Sequence, residues 1–167
     1  MSKCKYCNKK SILIIHTHNS GVSTEDFNTL YQGLNPPKRR KKLKKKVLIN
    51  LTSIQTVDKE STETELITEG KLETIDGGYV ISYDESEATG FKGSKTILTC
   101  KGNEWASVDR VGKASSNLII EKGTKHHCHY GTPFGDFTVG IYAHSIINEL
   151  TSTGGKLYLK YTVDINS

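Results

Sequence analysis

Three histidines and a cysteine occupy consecutive positions, His126-His127-Cys128-His129, and Tyr130-Gly131-Thr132-Pro133-Phe134-Gly135 follows at once. Imidazole nitrogen and thiolate sulfur are the groups zinc selects, so the first question is whether the backbone lets them converge. In an extended strand the side chains alternate. His127 and His129 then face one way with Lys125, while His126 and Cys128 face the other with Tyr130. Such a segment offers at most a two-histidine chelate that another strand would have to complete, through a residue such as His144 or Cys100. The plainer reading is a strand running into a turn, in which Pro133 fixes φ and Gly135 permits the bend.

A second group, Cys4, Cys7, His16 and His18, has ligand types suited to zinc in the order C-x2-C-x8-H-x-H. Its H-x-H spacing departs from the H-x3-5-H of zinc modules, so these four are weak metal candidates and no metal or other cofactor is expected. Asp84, Glu85 and Glu87 crowd together, but alternation puts Glu85 and Glu87 on one face at a loop end where water solvates them. Paired-carboxylate catalysis needs a cleft and a second partner at a defined distance. No nucleophile elbow, phosphate-binding loop, dinucleotide fingerprint or H-E-x-x-H helix occurs, and a non-enzymatic protein is expected.

Charge divides the chain. Residues 1–46 hold twelve Lys or Arg against two acids, and residues 47–167 hold eleven against sixteen. The run Lys38, Arg39, Arg40, Lys41, Lys42, Lys44, Lys45, Lys46, interrupted only by Leu43, repels itself and cannot seed a core. Residues 1–46 therefore read as a flexible basic N-terminal extension, with a short helix over Thr24–Leu34 as its one ordered piece. Eight cations on single-stranded phosphates would give a log-affinity slope of about −6 against log salt, which makes nonspecific RNA or ribosome contact the alternative function. The run lacks aromatics for base stacking. No apolar stretch is long enough for a membrane helix and Ile12-Leu13-Ile14-Ile15 is too short for a secretory signal, so a cytoplasmic protein without membrane contact is expected.

Residues 47–167 repeat strand and turn. Leu157, Leu159, Tyr161, Val163 and Ile165 alternate with polar or outward positions, as do Phe137, Val139, Ile141 and Ala143, and Tyr79, Ile81 and Tyr83. Further strands are expected over Val47–Val57, Thr62–Thr74, Ser94–Cys100, Glu104–Arg110, Ala114–Glu121 and Thr124–Tyr130. Asp76-Gly77-Gly78, Gly102-Asn103, Lys122-Gly123 and Gly154-Gly155 are cheap sites of positive φ that close hairpins. A meander of about eight to ten strands must leave two edges or close on itself, and an all-β, closed antiparallel up-and-down barrel is favoured over a sandwich.

Four segments in order, ISYDESEATG from Ile81, DRVG from Asp109, YGTPFG from Tyr130 and GGKL from Gly154, resemble the YwiB-type family of bacterial proteins of unknown function. The resemblance covers about residues 47–167 and implies a calycin-like, lipocalin-resembling barrel. The aromatic of the T-P-x-G turn, commonly Tyr in that family, is Phe134 here, and the C-x-x-C extension is foreign to the family pattern. A barrel of this kind suits a small apolar or amphipathic ligand at its mouth, with Tyr83, Trp105, Arg110, Tyr130, Thr132, Phe134 and Tyr142 as candidate lining residues. Arg110 shares a strand face with Ala106 and Val108. An inward guanidinium there needs carboxylate or carbonyl partners, whether it clamps the barrel or anchors a ligand.

Overall fold

A computed structural model of the protein describes residues 9–19, 43–132 and 135–165. Among the described residues ten strands follow one another: β1 (Lys9–Asn19), β2 (Lys44–Val57), β3 (Glu60–Ile75), β4 (Gly78–Asp84), β5 (Ser94–Lys101), β6 (Trp105–Gly112), β7 (Ser116–Glu121), β8 (Lys125–Thr132), β9 (Gly135–Asn148) and β10 (Gly155–Asp164). A 3-10 turn, Glu87–Thr89, lies between β4 and β5. Every strand pairs antiparallel with its neighbours in sequence and β1 pairs with β10, so the sheet closes into an up-and-down barrel. Closure leaves no edge strand among the described residues, although β7 and β8 meet at one register pair alone, Ser116 with Tyr130. Among the described residues no helix is long and apolar enough to cross a membrane.

The nine strands expected from period-two alternation are all present, and glycine turns join β3 to β4, β5 to β6, β7 to β8 and β9 to β10. Gly77, Gly102, Gly123 and Gly154 in those turns all have positive φ. The expected boundary at residue 46 does not hold. Residues 9–19, assigned above to a flexible extension, form the strand that closes the barrel between β2 and β10. Ser11, Leu13, Ile15 and Thr17 point inward and Ile15 is wholly buried. Lys44, Lys45 and Lys46 belong to β2, paired with Glu73, Leu72 and Lys71 of β3, because a ladder is made by backbone groups and tolerates cationic side chains, here exposed at Lys44 and Lys46 and partly buried at Lys45. Lys44 Nζ lies 3.6 Å from Glu73 Oε2. The helix expected over Thr24–Leu34 falls outside the described residues, as do Lys38, Arg39, Arg40, Lys41 and Lys42.

The core is uneven along the barrel axis. At the end formed by the 76–77, 102–104, 122–124 and 149–154 turns, Ile15, Ile49, Leu72, Ile81, Leu98, Ile120, Ile141 and Leu157 interdigitate and are essentially inaccessible to water. Toward the opposite end the inward positions turn to Ser11, Ser53, Gln55, Thr64, Tyr83 and Arg110, which cannot interdigitate as aliphatics do, and the packing opens into a cavity of about 470 Å³.

Candidate functional site

The cavity is floored by branched and aromatic side chains and walled by hydroxyl groups, Leu51, Leu66, Leu118 and Val139 lying among Ser11, Ser53, Thr96 and Ser116. Its polar wall has a simple origin in register. Tyr83, Thr96, Arg110, Ser116 and Tyr130 are successive partners across β4, β5, β6, β7 and β8. One cross-strand row thus sends five hydrogen-bonding side chains inward at the same height.

Glu85 completes this wall. It continues the inward phase of Tyr79, Ile81 and Tyr83 one step past β4, where its N–H still bonds to the Ser94 carbonyl at 2.9 Å. Its side chain is 1% exposed, against the solvated position expected from the sequence. Thr96 Oγ1 donates to Glu85 Oε1, and Arg110 Nε donates to the same oxygen at 3.4 Å. The other oxygen, Oε2, is shielded from solvent and has no hydrogen-bond partner among the described residues, as is also true of Ser86 Oγ. A buried charge without compensation is expensive, so the Arg110 guanidinium is the condition for a carboxylate at this position. The segment after Glu85 folds back over the mouth, where Ala88, Thr89 and Phe91 line the cavity. The Arg110 guanidinium lies over the Phe91 ring, with Cζ 3.6 Å from the ring centre. This cation–π contact ties the covering segment to the barrel wall.

The phenols respond to enclosure. Burial, reinforced by the Glu85 charge, drives Tyr83 well above the usual tyrosine range. Burial likewise pushes Tyr161, hydrogen-bonded with Ser11, up to about 12. Both remain neutral hydrogen-bonding groups at ordinary pH.

Of the lining residues expected from sequence, Tyr83, Arg110 and Tyr130 meet in this cavity. Trp105 and Tyr142 do not. Trp105 lies on the outward phase of β6 beneath the Lys101 ammonium, 5.8 Å from its ring centre, and Tyr142 packs edge-on against His144 on the outer surface at 5.3 Å. Thr132 ties its own turn, donating to the Gly135 carbonyl at 3.0 Å, and is not part of the cavity wall. Phe134 lies outside the described residues.

The histidine cluster divides as alternation requires. Cys128 is buried and its sulfur accepts the Ile119 N–H at 3.3 Å, while His127 and His129 are exposed. His126 Nε2 pairs with Glu121 Oε2 at 2.7 Å, and His129 Nε2 lies 3.9 Å from Asp136 Oδ1. His144 bonds to Thr162 on the outer face. Burial pushes the Cys100 thiol up to about 11 and raises Cys128 as well, which leaves both sulfurs protonated and weakly nucleophilic. His16 and His18 sit on the outward face of β1, whereas Cys4 and Cys7 lie outside the described residues. Among the described residues no three His, Cys, Asp or Glu side chains are grouped to hold a metal.

Comparison with known proteins adds family but not activity. No curated protein sequence is significantly similar to the chain. Among solved structures, the ywiB protein from Bacillus subtilis matches with a TM-score of 0.49 and 14% sequence identity, covering 96% of this chain and 94% of that one. The sequence profile described as "Domain of unknown function (DUF1934)" matches residues 49–167, nearly the whole of β2 to β10. The chain accordingly belongs to the DUF1934 family, a domain of unknown function.

Proposed function

We propose that the protein is a non-enzymatic carrier or sensor that binds a small amphipathic molecule in the half-filled barrel. The observation that carries this reading is the 470 Å³ cavity with Glu85 and Arg110 built into its wall. A volume of this order matches small-molecule sites, which combine an apolar lining with a few convergent polar groups. Packing explains it less well. A barrel with no ligand to bind would gain from larger aliphatics at Ser11, Ser53 and Thr64, each of which faces the cavity and leaves space unfilled.

Native mass spectrometry of the intact chain, purified without denaturation, tests the reading. The expected spectrum shows a folded species carrying an extra small organic mass that denaturation releases. Bare protein that also fails to take up added amphiphiles would overturn it. The polyanion alternative predicts instead a nucleic-acid adduct dispersed by salt. Lys44, Lys45 and Lys46 lie at the packed end of β2, away from the cavity mouth, so the two kinds of adduct would be independent.

A further inference from the structure

Every ligand site has a charge preference, and here it is set by two residues. Among the described residues lining the cavity, Glu85 and Arg110 are the only ones with ionic side chains, and they neutralise each other at 3.4 Å. The remaining polar lining consists of hydroxyl groups from Ser, Thr and Tyr and the amide of Gln55, all uncharged. Resting on the ligand-binding reading above, we infer that the site selects a net-neutral amphiphile whose head both donates and accepts hydrogen bonds, such as a diol ester, and discriminates against simple anionic and cationic amphiphiles.

The argument is one of balance. An anionic head entering this site would bring a second negative charge close to Glu85 while Arg110 is already committed. A cationic head would do the converse. Either leaves one uncompensated charge inside a low-dielectric wall, where its desolvation is not recovered. A neutral head avoids this and meets the groups that are present. Glu85 Oε2 lacks a donor, and a head-group hydroxyl supplies one without adding charge. Hydroxyls on Tyr83, Tyr130 and Tyr161 serve its oxygens as donors, the Thr96 hydroxyl being already engaged with Glu85 Oε1. Access to Oε2, which is shielded from solvent, requires the covering segment to shift outward. Gly90 and Gly93, both at positive φ, flank Phe91 and suit a small rearrangement there.

Three probes with one tail length separate the possibilities: 1-monooctanoylglycerol, octanoate and octylamine, each titrated calorimetrically into the full chain at neutral pH. The diol ester is expected to bind at least about tenfold more tightly than either ion. Changing one partner should then reverse the order in a predictable direction. Glu85→Gln leaves Arg110 uncompensated and should make octanoate the best ligand. Arg110→Gln leaves the carboxylate uncompensated and should favour octylamine. Octanoate or octylamine binding best to the unaltered protein overturns the inference while leaving a ligand-binding barrel intact. If neither variant folds, the ranking on the unaltered chain decides alone. If no probe binds, the head group of any molecule released from the native protein decides, a charged one refuting the inference. The absence of both probe binding and any bound molecule removes the ligand-binding reading itself.

Discussion

Tyr161 shows how the cavity wall stores pH sensitivity in single side chains. Its phenol is buried near Tyr130 and bonded to Ser11, and its pKa moves from 10.0 to about 12. The unfolded chain therefore loses this proton near pH 10 while the folded barrel holds it, so the contribution to stability is complete below pH 10 and declines as pH rises through 12. The loss amounts to about 3 kcal/mol once both states are ionised. Tyr161→Phe keeps the ring and removes the titration, and urea midpoints measured at about pH 9 and about pH 11.5 should fall less in the variant than in the parent. Tyr83 shifts in the same direction, so some alkaline decline persists. An equal decline in both proteins would place the phenol in water rather than in the wall. The same residues show which parts of the site were legible. Arg110 was recoverable because Ala106 and Val108 fix its phase, and Tyr83 because Tyr79 and Ile81 do. Aromaticity alone makes Trp105 and Tyr142 look like lining residues, although the phase of their own strands sends them outward. Glu85 was hidden by its neighbours, since Asp84-Glu85-Ser86-Glu87 looks like a solvated turn unless the alternation of β4 is carried one residue further.

At the level of elements, alternation recovered nine strands and missed the one that closes the barrel. β1 carries four apolar residues in succession, Ile12 to Ile15, because Ile12 and Ile14 lie half-buried on the outer face beside Ile54 and Tyr158. That run erases the period of two, and flanking lysines make the region resemble a tail. Its neighbours show its structural weight: β1 is bonded over nine register pairs to β10 and ten to β2. Removing it would expose two long edges and uncover Ile49, Leu51, Leu157 and Leu159, all buried. A variant starting at Val47 should consequently lose its cooperative thermal transition or aggregate, whereas the full chain should melt in a single step. Ile15→Ala is the gentler version, with an expected loss of about 2 to 5 kcal/mol. A truncated chain melting at the parental temperature would mean that β2 and β10 pair directly and that β1 is dispensable. Glycine placement, by contrast, was readable where it mattered. Gly112 ends the Arg-Val-Gly corner at φ 136°, and a Cβ there would sit 2.7 Å from Ser94 Cα, so the motif keeps the covering segment close to β6.

On the scale of the whole molecule, the barrel divides its interior between stability and vacancy. One half is packed with aliphatics at 0 to 2% exposure, and the other holds small hydroxylated residues around open volume. A sequence search for inward positions cannot separate these halves, because Ser53 and Ile49 obey the same alternation on β2 and only their height along the axis differs. That difference yields a test in which stability and binding move in opposite directions. Ser53→Phe places a ring into the space between Leu13 and Thr64, the residues paired with Ser53 on the two flanking strands. Burying a Phe side chain is worth about 1.5 to 3 kcal/mol where volume is free, against a polar hydroxyl lost from a half-solvated wall. For a chain of this length each kcal/mol moves the midpoint by about 2 to 4 °C, so the unliganded variant should melt several degrees higher. Its amphiphile-induced melting shift should disappear, because the ligand's volume is now occupied. A packed or collapsed interior would give the opposite result, with the added ring straining the barrel and lowering the melting temperature. Stability gained at the expense of binding is the pattern expected when open space has been kept for an occupant.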